Sequence, residues 1–164
     1  MNQPLLLVPR SQSVRLTEHW HVVKDGDSVA KALHSRHYSK YKYKDGRDPA
    51  LFIDPGEKLV LLNEDGTAVW AWRFFTDDYL KRPSLWCSIF RNESDVLSSL
   101  LILEAERVAG CRWPGKSMFT IVDPTKVRST NPGCSYKKAG WKFYGLTKKG
   151  QHVLWKSETL NESL

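Results

Sequence analysis

The chain has 164 residues, 41% of them hydrophobic and 26% charged, enough apolar material for one packed domain and too much for general disorder. Lys and Arg number 25 against 18 Asp and Glu, a formal charge of +7 that should attract polyanions or an anionic cofactor. Cys87, Cys111 and Cys134 show no CxxC or Cys/His spacing, which argues against a disulfide scaffold and a structural zinc site and suits a reducing cytoplasm.

Leu5 to Val8 is too short for a signal-peptide core, and no run approaches the roughly 20 apolar residues of a membrane span. The chain reads as one soluble domain over 1–164, with residues 1–14 and 157–164 as peripheral tails. In chain order, Arg15 to Val23 reads as a first strand, Asp25-Gly26 as a turn, and Asp27 or Ser28 as the cap of a short helix. Val29, Ala32 and Leu33 give that helix an apolar stripe, and His37 follows one turn after Leu33. Tyr38 to Arg47 is a basic, aromatic loop.

Lys58 to Leu62 and Thr67 to Phe75 form two strands of a hairpin around Asn63-Glu64-Asp65-Gly66, with Trp70 and Trp72 on one face. Ser84 to Phe90 is a further strand, Asp95 to Ala109 a helix carrying Leu97, Leu100, Leu101 and Val108, and Met118 to Val122 a buried strand. Pro132 to Ala139 reads as a short helix closed by Gly140, and Trp141 to Trp155 as a last strand interrupted around Thr147 to Gly150. This order predicts an α/β (α+β three-layer) domain with a mixed sheet, an antiparallel hairpin and one right-handed strand-helix-strand crossover after residue 84.

The junction Phe90-Arg91-Asn92-Glu93-Ser94-Asp95 leaves a strand and enters a helix, a place where backbone N–H groups and Arg91 can hold an anion such as a pyrophosphate. It carries no glycine, and a plain helix cap at Asn92 explains the same residues. His34, His37 and Tyr38 end the first helix and Asp123 ends a central strand; such groups bind a transition metal or move protons, and each also has a purely structural reading. Ser135 or Tyr136 at the last helix could donate a proton to a cofactor sulfur, and Cys134 could be a nucleophile, although no His pairs with it by spacing. Lys40, Lys42 and Lys44 alternate with Tyr41 and Tyr43, cations on one side and rings on the other, which suits nucleic acid. A second basic group comprises Lys126, Arg128, Lys137, Lys138, Lys142, Lys148 and Lys149.

Phe119 to Trp141, with Val122-Asp123-Pro124, Val127-Arg128-Ser129, Asn131-Pro132-Gly133 and Ala139-Gly140-Trp141, resembles the Mom family of phage DNA-modification proteins, a divergent branch of the GNAT acyltransferase fold. His37-Tyr38 and Arg91-Asn92-Glu93 are placed similarly, so the resemblance covers roughly residues 30 to 155. It implies carbamoylmethylation of the exocyclic N6 of adenine in duplex DNA, protecting phage DNA from host restriction, with acetyl-CoA and iron. Carried over by motif, Arg91, Asn92, Glu93 and Ser94 lie at the coenzyme pyrophosphate turn. Ser135 and Tyr136 lie by its sulfur, and His37, Tyr38 and Asp123 form the reacting centre and iron site. Lys40 to Lys44 and Arg128 would meet DNA. An ordinary acetyl-CoA-dependent N-acetyltransferase and a non-catalytic DNA-binding module are the alternatives; the oligomeric state, a homodimer included, stays open.

Overall fold

The computed structural model describes residues 14–37, 44–46, 49–76, 81–127 and 131–158. Its elements are β1 (Val14–Arg15), β2 (Trp20–Val23), α1 (Ser28–Ser35), β3 (Glu57–Asn63), β4 (Ala68–Thr76), β5 (Pro83–Asn92), α2 (Ser98–Arg112), β6 (Ser117–Val122), α3 (Cys134–Lys138), β7 (Lys142–Leu146) and β8 (His152–Lys156). The fold is α+β: one mixed eight-stranded sheet in the order β1-β2-β3-β4-β5-β6-β8-β7. Every neighbouring pair is antiparallel except β5 and β6, which α2 joins as a parallel crossover.

Both faces of the central strands are buried, and the alternation along β4 says with what. Ala68, Trp70 and Trp72 pack with Leu101, Ile102, Ala105 and Val108 of α2, and with Ala139 and Trp141 beyond α3. Val69 and Ala71 point the other way and pack with Ala30 and Leu33 of α1. The sheet is therefore the middle of three layers, and Trp70 and Trp72 share a face as the period-two pattern requires. Two indoles lock α2 to the sheet by donating to its carbonyl oxygens, Trp20 Nε1 to Leu101 O at 2.9 Å and Trp72 Nε1 to Ala105 O at 3.0 Å. Each such buried bond contributes about 1 kcal/mol and, being directional, fixes the helix register in a way apolar contact alone does not.

Several expectations are corrected. Arg15 to Val23 is two short strands with a turn between them, its chain reversing where Leu16 N bonds Trp20 O. In α1 the side chain of Asp27 caps Val29 N and Ala30 N as expected, but the buried pair is Ala30 and Leu33, with Ala32 outside. The second helix starts at Ser98, three residues later than Asp95. Asn92 is the cause: its carboxamide accepts from Ser94 N and Ser94 Oγ and donates to Val96 O and Ser98 Oγ, so 93–97 is held as a loop. Leu97 is consequently a helix cap, 73% exposed, and Leu100 is also exposed, so of the four apolar residues expected on this helix only Leu101 and Val108 are buried. The last strand is interrupted at Thr147 to Gly150 as predicted, and the short helix is confined to Cys134–Lys138.

Candidate functional site

The parallel pair is brief. Only Ser84, Leu85 and Trp86 pair with Ser117, Met118 and Phe119, after which β5 runs on to Asn92 and β6 to Val122 without further pairing to each other. Two strands that part in mid-sheet leave backbone polar groups along one side of each with no ladder to satisfy them, and such groups need another partner. β5 adds a bulge at this point. Ala71 pairs Ile89 while Trp72 pairs Cys87, so Ser88 opposes no residue of β4.

The gap holds a cavity of about 470 Å³. Trp86 to Phe90 and Thr120 to Val122 form its strand walls, Asn92 and Ser98 lie at the start of the helical crossover, and Asn131, Gly133 to Tyr136 and Gln151 close the other end. His37 also lines it. This residue follows α1, on one face of the sheet, whereas Tyr136 belongs to α3 on the opposite face; the opening between β5 and β6 is what lets both reach one space. No Asp, Glu, Lys or Arg of the described residues lines it.

His37 is mostly buried, and burial, then the neighbouring His34 and Arg91, push its pKa down to about 4, against a weaker upward pull from a hydrogen bond to the Phe90 backbone. Its imidazole is thus neutral near pH 7 and keeps a lone pair. Tyr136 packs its ring at 5.1 Å from Trp141 and 6.1 Å from Trp70, and sets its hydroxyl 3.4 Å from Cys87 Sγ. Burial pushes the Cys87 thiol up to about 12, outweighing its hydrogen bonds to Tyr136, Thr120 and Ile89, so this sulfur stays protonated and is no nucleophile at neutral pH. Thr120 Oγ1 donates to Cys87 O across the gap, tying the diverging strands together at one point.

The remaining expected residues lie around this centre. Arg91, Glu93 and Ser94 are outside the cavity lining. Glu93 accepts from Arg36 and from Arg91, Arg91 Nη1 donates to Arg36 O at 2.8 Å, and these contacts clamp the end of α1 to the end of β5. Ser94 is engaged by Asn92. Asp123 Oδ1 accepts from Thr125 N at 2.9 Å and Thr125 Oγ1 at 2.6 Å, closing the turn after β6, and those bonds hold its carboxyl below the usual range. Of the expected cofactor residues, Asn92, Ser135 and Tyr136 line the cavity. Lys44 sits in an exposed turn. Tyr38, Lys40, Tyr41, Lys42, Tyr43 and Arg128 lie outside the described residues.

Cys87, Ser88, Thr120 and Gln151 join the cavity with no sequence signal pointing to them, because a bulge and a parting of strands leave no local pattern. Away from it, Glu18, His19 and Glu104 bring three ligand atoms within 4.8 Å of one another. The His19 Nδ1 to Glu104 Oε2 contact of 2.6 Å, with His19 N donating to Oε1, fastens the β1–β2 turn to α2. Among the described residues no helix is long and apolar enough to cross a membrane. Set against known protein families and curated proteins, the chain matches none.

Proposed function

We propose that this chain is a coenzyme-A-dependent transferase of the GNAT type, Mom-like in kind, that modifies the exocyclic N6 of adenine in DNA, the resemblance naming carbamoylmethyl as the group added. The observation that carries the reading is the cavity between β5 and β6, reached by His37 from one face of the sheet and Tyr136 from the other. A strand order in which one parting parallel pair, β5 and β6, ends the antiparallel run β1 to β5 also supports the GNAT assignment. The parted backbone of β5 offers hydrogen-bonding groups to an extended amide-bearing arm, as a missing strand would. The start of α2 opens on the same space through Ser98, with no side chain capping it.

Bound acetyl-CoA would supply the activated thioester, and the residues described provide for acyl transfer. The amine nitrogen would bond the thioester carbonyl carbon as the C–S bond breaks, leaving an N6-acetyl group and free coenzyme A. A carbamoylmethyl group needs a further nitrogen donor, for which no step is derived. Neutral His37 accepts a proton from the attacking amine, directly or through a water, and its low pKa keeps it in the accepting form across the physiological range. Tyr136 donates to the departing sulfur from α3, its ring held by Trp70, Phe90 and Trp141. Without a carboxylate among its described residues, the wall gives no purchase to a cationic amine such as a lysine or polyamine, and it suits an uncharged nucleobase amine.

The described wall offers a single imidazole and no carboxylate, which falls short of the ligand set iron requires, so no step is routed through a metal. That same observation favours a second reading, simple N-acetyl transfer to adenine or a small neutral amine. Mass spectrometry of nucleosides from duplex DNA incubated with protein and acetyl-CoA separates the two by the mass of the adduct. The adduct should vanish in His37→Ala and Tyr136→Phe. Unmodified adenine throughout, with no coenzyme A binding by calorimetry, sinks the enzymatic reading.

A further inference from the structure

The last third of the chain is electrostatically unlike the rest. Between Pro124 and Ser157 there are seven Lys, one Arg and no Asp or Glu, so this stretch carries all of the net positive charge and the remainder is close to neutral. The fold gathers its described residues at one end of the sheet, in the turn after β6, in α3, and in β8 and the edge strand β7. Lys156 is used internally, donating to Glu106 and to Ala139 O, and Lys137 donates to Asn131. Lys142, Lys148 and Lys149 are exposed and form no ion pair among the described residues.

Lysines on an edge strand have a bland explanation, since charge there discourages edge-to-edge pairing. Exposed rings beside them do not fit it. β7 leaves Phe143 51% and Tyr144 48% exposed, on opposite faces of this edge and each braced edge-on by a ring of β8, Phe143 by His152 at 5.3 Å and Tyr144 by Trp155 at 5.5 Å. Rings propped from within the protein and open outward, with ammonium groups before and after them in sequence, match the pairing of stacking surface and phosphate-neutralising charge used on nucleic acid strands. The edge also borders the cavity. Gln151, which lines it, follows directly on the Lys148–Lys149 turn and closes that turn by donating from its backbone to Thr147 Oγ1 at 3.1 Å.

We infer that β7 and the Thr147–Gly150 turn form the docking edge for a DNA strand, with Lys142, Lys148 and Lys149 on phosphates and Phe143 and Tyr144 against bases on either side of the edge. Asn131 and Gln151 then flank the entry of the target nucleotide into the cavity. The inference deepens the adenine-directed reading above and rests on it.

Fluorescence anisotropy of a labelled DNA duplex, titrated between about 50 and 200 mM salt, tests it. Lys148→Glu with Lys149→Glu should weaken binding at least tenfold and flatten the salt dependence by about 2 units of slope, one for each phosphate no longer neutralised. Phe143→Ala with Tyr144→Ala should weaken binding and leave that slope unchanged. Lys24→Glu, an exposed reversal on the β2–α1 turn, should leave affinity nearly unchanged. If the native protein binds DNA and the double reversal binds as tightly as Lys24→Glu, the docking edge is wrong while the adenine reading stands. If the native protein binds no DNA at low salt, that reading falls and the edge with it. Tighter binding to phosphatidylserine vesicles than to DNA, abolished in the same double reversal, overturns the edge in favour of an anionic membrane surface.

Discussion

Arg36 holds the Glu93 carboxylate in a two-pronged grip, Nε to Oε2 and Nη2 to Oε1, both at 2.9 Å. Fifty-seven residues separate them, and the grip joins the end of α1 to the end of β5. Arg91 completes the clamp by donating to Glu93 and to the backbone oxygen of Arg36. The next residue, His37, is thereby seated against Phe90.

Glu93→Ala should therefore act on His37 more than on stability. The pair is largely solvent-exposed, so the loss in folding free energy should stay within about 1 kcal/mol. With α1 released, the imidazole gains water, and its pKa should climb from about 4 toward the ordinary 6.5, read by NMR titration of the ring protons. An unchanged His37 titration would mean that the clamp does not position this ring.

Because His37 is buried uncharged, the unfolded chain binds a proton that the folded chain resists between pH 6.5 and about 4. Stability should be full above pH 6.5 and fall as the pH drops through this window, by at most about 3 kcal/mol from this one group. Denaturant titrations at stepped pH should show the fall, and His37→Gln should flatten it. Glu93, held down at about 2 by its hydrogen bonds to Arg36 and Arg91, works in the same direction, its contribution being lost as pH falls toward that value.

Where the sequence was legible, one local cause sufficed. Asp27 caps α1 because a carboxylate before a short apolar repeat has two free N–H groups within reach, and Trp70 and Trp72 share a face because strand side chains alternate. The start of α2 was misplaced because Asn92 reads equally as a helix cap and as the organiser of a loop; only its four partners decide. Tyr136 and His37 could be named as candidates, but their meeting depends on where β6 leaves β5, a long-range pairing event with no local mark. Arg91 and Glu93 look like an anion site in sequence, and Arg36, far upstream, is what makes them a clamp.

The cysteines should separate cleanly by reactivity. Cys111 is exposed on α2, whereas Cys87 is buried with its pKa pushed up to about 12, so it offers almost no thiolate. Brief alkylation of the native protein with iodoacetamide near pH 8, mapped by mass spectrometry, should label Cys111 and spare Cys87 until denaturant is added. Prompt labelling of Cys87 would mean that the gap between β5 and β6 opens far more than its packing implies.

Gly133 carries the most demanding backbone position beside the cavity. It caps α3 at φ +77°, in the left-handed region, and a Cβ there would run into Leu154 Cδ1 with Val122 close behind. Leu154 is wholly buried in the main core, so it has little room to move. Gly133→Ala combines a strained backbone with overpacking and should cost about 2 to 4 kcal/mol, seen as a lower denaturant midpoint. Relief of the clash would shift α3 outward and carry Tyr136 away from Cys87, so the coenzyme A affinity and turnover proposed for this cavity should fall by more than the stability loss explains. Pairing it with Leu154→Ala should restore part of the binding while leaving the protein less stable than the native chain, because the smaller side chain removes the collision but opens a cavity.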